Sequence, residues 1–200
     1  MSARRVTIIA TGVGNTASLI AAFGRAGVAA TLTEDAATIL AAERVVLPGV
    51  GAFGAAMARL RATGMAAAIC ERAAADRPLL GICLGLQLLA RESAESAGVA
   101  GLGVLEASVV PFAEGVRVPH LGWNRVTPAP DARWLVRGTA CFANSYHLDR
   151  TPVGTIGAWS DHGGPFVAAI ERGALLGCQF HPELSGAWGA ALLERWVTRC

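Results

Sequence analysis

Gly81-Ile82-Cys83-Leu84-Gly85-Leu86-Gln87-Leu88-Leu89 sets a Gly-x-Cys-x-Gly pattern between an apolar run and a run of helical character. This is the thiol form of a nucleophile elbow, a sharp strand-to-helix turn that exposes one reactive side chain. Glycines two residues to either side remove Cβ atoms that would clash in so tight a turn. The sulfur is expected at a helix N-terminus, where the macrodipole and free N–H groups favour a thiolate.

Working outward from the elbow, strands and helices alternate, as in an α/β domain with a largely parallel sheet. Strands are expected at residues 6–10, 28–33, 44–47 and 79–82. Helices are expected at 16–26, closed by Gly27, and at 55–60, 65–74 and 84–91. From Gly101 to Phe180 the apolar runs become short and rich in Val, Ile, Trp and Phe, with Pro and Gly between them. Residues 104–111, 123–126, 141–143, 155–159, 166–170 and 175–180 read as strands, several of them antiparallel. Trp188, Leu192 and Trp196 recur every four residues and mark an amphipathic C-terminal helix. The expected architecture is one domain over residues 1–200. It has a central, mostly parallel sheet with helices on both faces and a smaller antiparallel sheet.

The composition narrows the chemistry. Hydrophobic residues make up 53% and charged residues 16%, which suits a packed core and not a disordered chain. The 17 basic residues are all Arg, so lysine Schiff-base chemistry and a P-loop lysine are excluded. Basic and acidic residues are interspersed, so no stripe for nucleic acid is expected. The longest apolar runs are too short to span a membrane. Five scattered cysteines without a Cys-x-x-Cys pair indicate neither a zinc cage nor a disulfide framework, and a reducing, cytoplasmic setting fits best.

A second segment completes a reactive constellation. Gln179-Phe180-His181-Pro182-Glu183 offers an imidazole at a strand end and a carboxylate two residues on that can orient it. A thiol, an imidazole and an acid are the parts of an activated nucleophile. Cys70, Cys141, Cys178 and Cys200 read as inert small hydrophobes. His120, His147 and His162 read as loop or surface residues. The turn Pro48-Gly49-Val50-Gly51-Ala52-Phe53-Gly54 can aim a bare backbone N–H at a developing oxyanion, with the Leu84 N–H as second donor. A competing pattern is Gly12-Val13-Gly14-Asn15-Thr16-Ala17, with Glu34 and Asp35 just over twenty residues on, which imitates a dinucleotide fingerprint. It leaves Cys83 and His181 unexplained.

The elbow and the His-Pro-Glu motif together resemble the class I, triad-type glutamine amidotransferases. Within that class, four segments are similar to the glutaminase subunits of imidazole glycerol phosphate synthases. They are residues 47–54, Pro119-His120-Leu121-Gly122-Trp123-Asn124, Phe142-Ala143-Asn144-Ser145-Tyr146, and residues 179–186. The resemblance implies that Cys83 attacks the glutamine carboxamide, with His181 as base and then acid and Glu183 as its orienter. It implies an oxyanion hole from the Val50 and Leu84 N–H groups. Glutamine would be held by Gly49, Gly51, Gln87, Ser145 and Tyr146. Ammonia would pass to a cyclase with a (β/α)8 barrel, in a heterodimer of histidine biosynthesis, with Asn124 and Leu184 at the contact. No metal or cofactor is implied. The alternatives are a related glutaminase that feeds another synthase, such as one aminating surface sugars, and a catalytically silent regulatory subunit. Three places depart from the family pattern: Ala10-Thr11 where an acid next to Tyr or Thr is expected, Asn144 where His is usual, and Leu184 where Lys or Arg is usual.

Overall fold

The computed structural model describes residues 4–12 and 16–200. In chain order the elements are β1 (Arg5–Ile9), α1 (Thr16–Arg25), β2 (Ala29–Thr33), α2 (Ala36–Ala41), β3 (Val45–Leu47), α3 (Phe53–Ala62), α4 (Met65–Ala74), β4 (Leu79–Ile82) and α5 (Leu84–Leu88). They are followed by β5 (Glu92–Ser93), β6 (Ser108–Pro111), β7 (His120–Pro128), β8 (Gly138–Asn144), β9 (Tyr146–Leu148), β10 (Ile156–Asp161), β11 (Pro165–Arg172), β12 (Leu175–Cys178), a 3-10 turn (Pro182–Leu184) and α6 (Gly186–Arg199).

Nine strands form one sheet in the order β2-β1-β3-β4-β12-β11-β10-β7-β8. The half from β2 to β12 is parallel, and every neighbouring pair from β12 to β8 is antiparallel. Side chains alternate across the central strands, so each strand serves two cores. Val46, Leu80, Ile82 and Leu176 pack with Leu19 and Phe23 of α1 and with Leu192 and Trp196 of α6. Val45, Leu47, Leu79 and Leu175 pack on the other face with Ile39 of α2, Phe53 and Leu60 of α3, Ile69 of α4 and Leu86 of α5.

The α/β reading and its two helical layers hold, with four differences. First, most of the antiparallel strands extend the main sheet. The small second sheet, β5-β6-β9, has one parallel and one antiparallel pair. Second, α2 was not expected. It has six residues, of which one, Ile39, is buried, too short a run for periodicity to register, and it starts because the Asp35 carboxylate accepts the Thr38 N–H at 2.7 Å. Third, α5 ends at Leu88 instead of reaching residue 91. The carbonyls of Leu88, Leu89 and Ala90 accept the N–H groups of Leu102, Leu105 and Gly103 at 2.9, 2.9 and 3.0 Å, so a crossing loop takes over from the helix. Gly101 permits that crossing, since a Cβ there would lie 2.1 Å from the Ala90 oxygen. Fourth, His120, His147 and His162 are not simple surface residues. His120 is buried and stacks on His162 at 4.1 Å and on Phe142 at 4.8 Å, and His147 lies 4.7 Å from Phe112. Burial, and the neighbouring His162 charge, lower the His120 pKa to about 4.

Arg72 is a buried charge without an acid. Its guanidinium donates to the carbonyls of Ile39, Ala42, Glu43 and Pro78 at 2.7–3.0 Å and closes the C-terminal end of α2. Burial, with Arg77 nearby, lowers its pKa to about 10.

Of the dinucleotide fingerprint, Val13, Gly14 and Asn15 lie outside the described residues. Its acids are otherwise engaged: Glu34 pairs with Arg59 at 2.8 Å, and Asp35 caps α2.

Candidate active site

The elbow forms where the sequence places it, between β4 and α5. Cys83 has φ 52° and ψ −112°, a left-handed conformation that a non-glycine residue adopts only under constraint. The constraint is visible on both sides. The Cys83 N–H donates to Cys178 O at 2.7 Å, and Cys83 O accepts from Leu86 and Gln87 N–H at 3.1 and 3.2 Å. Gly85 lets α5 press on β3, since a Cβ there would lie 1.8 Å from Leu47 O.

β12 delivers the imidazole beside the thiol. The chain leaves Cys178, and the His181 N–H ties to Cys141 O of β8 at 2.9 Å. The 3-10 turn then folds Glu183 back, so that its Oε1 meets His181 Nδ1 at 2.8 Å. Both side chains are nearly inaccessible. With Nδ1 held by the acid, the second ring nitrogen is the one left free for Cys83, which shares the cleft. Burial opposes protonation of this ring. The hydrogen bonds and charges of Cys83 and Glu183 outweigh it and raise the His181 pKa to about 10. Burial raises the Cys70 thiol, brings Cys200 to about 11, and holds Cys178 well above the usual range.

A cleft of about 340 Å³ opens over the sulfur, lined by Val50, Gly51, Cys83, Leu84, Gln87, Glu95, Ala143, Asn144, Ser145, Tyr146 and His181. Most of the expected substrate residues therefore meet in one place. Gly49 stands behind it, a Cβ there lying 3.0 Å from Leu84 Cβ. Three lining residues, Glu95, Ala143 and Asn144, had no role assigned from sequence. Glu95 belongs to an aperiodic loop, which carries no sequence signal; its Oε2 accepts the Phe53 N–H at 2.7 Å. Asn144 donates to Tyr146 O at 3.0 Å, and its buried Oδ1 has no partner among the described residues.

The two oxyanion donors do not converge, because the Leu84 N–H donates to Gly49 O at 3.3 Å. The Gly49–Val50 peptide is trans, since the cis bond among the described residues is Val118–Pro119. Its Val50 N–H therefore points opposite to the Gly49 carbonyl, away from the Leu84 donor. Asn124 lies on the opposite face of β7 from Leu121 and Trp123, and its Nδ2 is engaged by Asp161 O at 2.5 Å and His120 Nε2 at 3.3 Å. Leu121 and Trp123 instead are exposed, at 71% and 59%, and Leu184 at 43%. Leu121 pairs with Ala143 of the cleft wall, and Trp123 pairs with Cys141, which bridges to His181.

The comparisons with known proteins agree with this geometry. The profile of the family described as "Glutamine amidotransferase class-I" matches residues 7–200. The chain is 43% identical over 197 residues to the "Imidazole glycerol phosphate synthase subunit HisH" of Moorella thermoacetica, covering 96% of this chain and 94% of that one. It is 41% identical over 197 residues to the protein of the same name from Symbiobacterium thermophilum, covering 96% and 92%. In fold it is similar to the crystal structure of a glutamine amidotransferase, with TM-score 0.78, 22% identity and 97% of each chain covered. It is similar also to PurLQS from Thermotoga maritima, with TM-score 0.77, 16% identity and 98% and 99% covered.

Proposed function

The chain belongs to the class I glutamine amidotransferases, and within them to the HisH subunits of imidazole glycerol phosphate synthase; from that membership we propose that it hydrolyses glutamine and hands the ammonia to a cyclase subunit with a (β/α)8 barrel, in histidine biosynthesis. One observation carries the reading: a strained Cys83 at the head of α5 shares a cleft with a His181 ring held by Glu183.

The steps follow from the positions. The glutamine side chain enters the cleft, and the Glu95 carboxylate offers its α-ammonium a counter-charge. With its pKa raised to about 10, His181 already holds the proton at neutral pH, paired with the Cys83 sulfur. Cys83 Sγ bonds to the carboxamide carbon, and the carbonyl π pair moves onto oxygen. His181 returns the proton to the leaving nitrogen, the C–N bond breaks, and ammonia departs from a glutamyl thioester. Water then attacks that carbon with His181 as base. The C–S bond breaks, and glutamate leaves with the thiol restored. The oxyanion needs two donors, and the Leu84 N–H becomes one only when Gly49 O releases it.

The apolar rim of Leu121, Trp123 and Leu184 suits a docked partner at the cleft mouth. Among the described residues no helix is long and apolar enough to cross a membrane, and we place the complex in the cytoplasm. The test is reconstitution with the barrel cyclase, reading glutamate release and imidazole product together. Glutamate without imidazole product would point to a different synthase. No glutamate in any complex would point to a silent regulatory subunit.

A further inference from the structure

The chain contains two glutamines, Gln87 and Gln179, and both lie in one buried relay that ends on the nucleophile. Gln179 is wholly inaccessible. Its Nε2 lies 3.7 Å from Cys83 Sγ, a hydrogen-bond distance for the large sulfur atom. We propose that Gln179 is a catalytic donor, holding the Cys83 sulfur in its attacking position by an N–H···S bond whose direction is set by Gln87; the proposal rests on the glutaminase reading and deepens it.

The direction of that amide follows from its partners. The Tyr146 backbone oxygen can only accept, so the Gln87 atom 3.0 Å from it is the nitrogen. The same nitrogen places its second N–H on Gln179 at 3.0 Å, so the Gln179 atom there is the oxygen. The remaining end of Gln179, its NH2 group, therefore faces the sulfur. A backbone carbonyl of the cleft wall thus fixes, through two amides, a donor at the thiol. A donor to sulfur gains strength as the sulfur becomes anionic, since hydrogen bonds to charged acceptors exceed those to neutral ones. It also restrains the side chain against rotation, which matters at an elbow whose backbone is already strained. The donor adds to the helix N-terminus and to the His181 ring. Gln87 then acts as a positioning residue through Gln179, whatever contact it makes with substrate.

The test reads the sulfur directly and needs neither glutamine nor a partner, so it succeeds or fails independently of the pathway assignment. In the full chain, the rate of Cys83 alkylation by iodoacetamide at neutral pH is followed by peptide mapping. Gln179→Leu preserves bulk and removes the donor, and alkylation should slow roughly tenfold. Gln87→Glu cannot donate to Gln179; its carboxylate accepts the Gln179 NH2, turns that amide over and presents oxygen to the sulfur. Alkylation should slow although Gln179 is intact. Gln87→Glu in the Gln179→Leu background isolates the field of the new carboxylate; slowing by Gln87→Glu of the same size with and without Gln179 overturns the proposal, as does an unchanged rate in either folded single variant. Should either variant not fold, the unmodified chain labelled with nitrogen-15 on the side-chain amides of its two glutamines decides. Cys83→Ala should move one proton of one amide pair and leave the other three in place. Movement of none, or of all alike, counts against the bond.

Discussion

The Gly49 carbonyl lies 3.3 Å from the Leu84 N–H and occupies the donor that a tetrahedral oxyanion above Cys83 would need. In the proposed mechanism this leaves the oxyanion hole unformed at rest. Turning over the Gly49–Val50 peptide frees the Leu84 N–H and brings in that of Val50. That turn changes ψ of Gly49 and φ of Val50, and Gly49 has no side chain to oppose it. The isolated chain should therefore hydrolyse glutamine very slowly, and the cyclase with its acceptor ligand should accelerate it. Val50→Gly removes the β-branched restraint on the rotation and should raise the basal rate several-fold. Steady-state glutamate release with and without partner checks both, and full activity in the unmodified isolated chain would refute the gate.

Amide chemistry and acceptor chemistry are expected in different subunits. Cys83→Ala should abolish glutamine-dependent synthesis by the complex and leave synthesis from ammonium salts intact. Parallel loss of both would show that the thiol serves the acceptor as well. A glutamine-mimicking electrophile should mark Cys83 before the other cysteines, three of which are held protonated by burial.

His181 couples stability to alkaline pH. Its folded pKa of about 10 stands above the unfolded value of 6.5, so between these the folded state binds more protons. The contribution is complete below pH 6.5 and is lost as pH rises through about 10, with a total on the order of a few kcal/mol. Unfolding of the unmodified chain and of His181→Asn should therefore differ most at and just below pH 6.5 and converge above pH 10. A constant difference across that range would show no linkage.

His120 works in the opposite direction. With its pKa lowered to about 4, the folded state binds fewer protons than the unfolded state between pH 4 and 6.5, and stability falls as pH falls through that window. His120→Phe should flatten the acid limb of the melting-temperature curve. An acid limb as steep as in the unmodified chain would place the sensitivity elsewhere.

Arg72 should be the costliest single polar loss away from the site. Arg72→Met leaves the carbonyls of Ile39, Ala42, Glu43 and Pro78 without their donor, and we expect a loss of roughly 3–5 kcal/mol. Denaturant unfolding measures it, and a loss below about 1 kcal/mol would mean that water replaces the guanidinium.

At the rim, Trp123→Ala should weaken association with the cyclase by at least tenfold with little change in melting temperature, as for an exposed aromatic anchor. Leu184→Ala should alter ligand stimulation more than the fold. A large drop in melting temperature with unchanged stimulation would identify Leu184 as an ordinary packing residue.

The sequence by itself determined the features that depend on near neighbours. The glycines about Cys83 specify the elbow, the alternation of runs specifies the parallel half-sheet with its two helical layers, and the two-residue step from His181 to Glu183 specifies their pairing. Each is set by residues a few positions apart, where spacing is geometry. What only the tertiary structure decided lies between residues distant along the chain. The end of α5 is imposed by a loop crossing at Gly101. The stack of His120 on His162 joins residues 42 positions apart, and Gln179 reaches Cys83 and Gln87 across 96 and 92 positions. The Gly49 carbonyl on Leu84 is likewise a choice between two orientations of one peptide, which the same glycines permit equally. Such contacts arise when the sheet brings strand ends together, and no local pattern of residue types records which atoms then face each other.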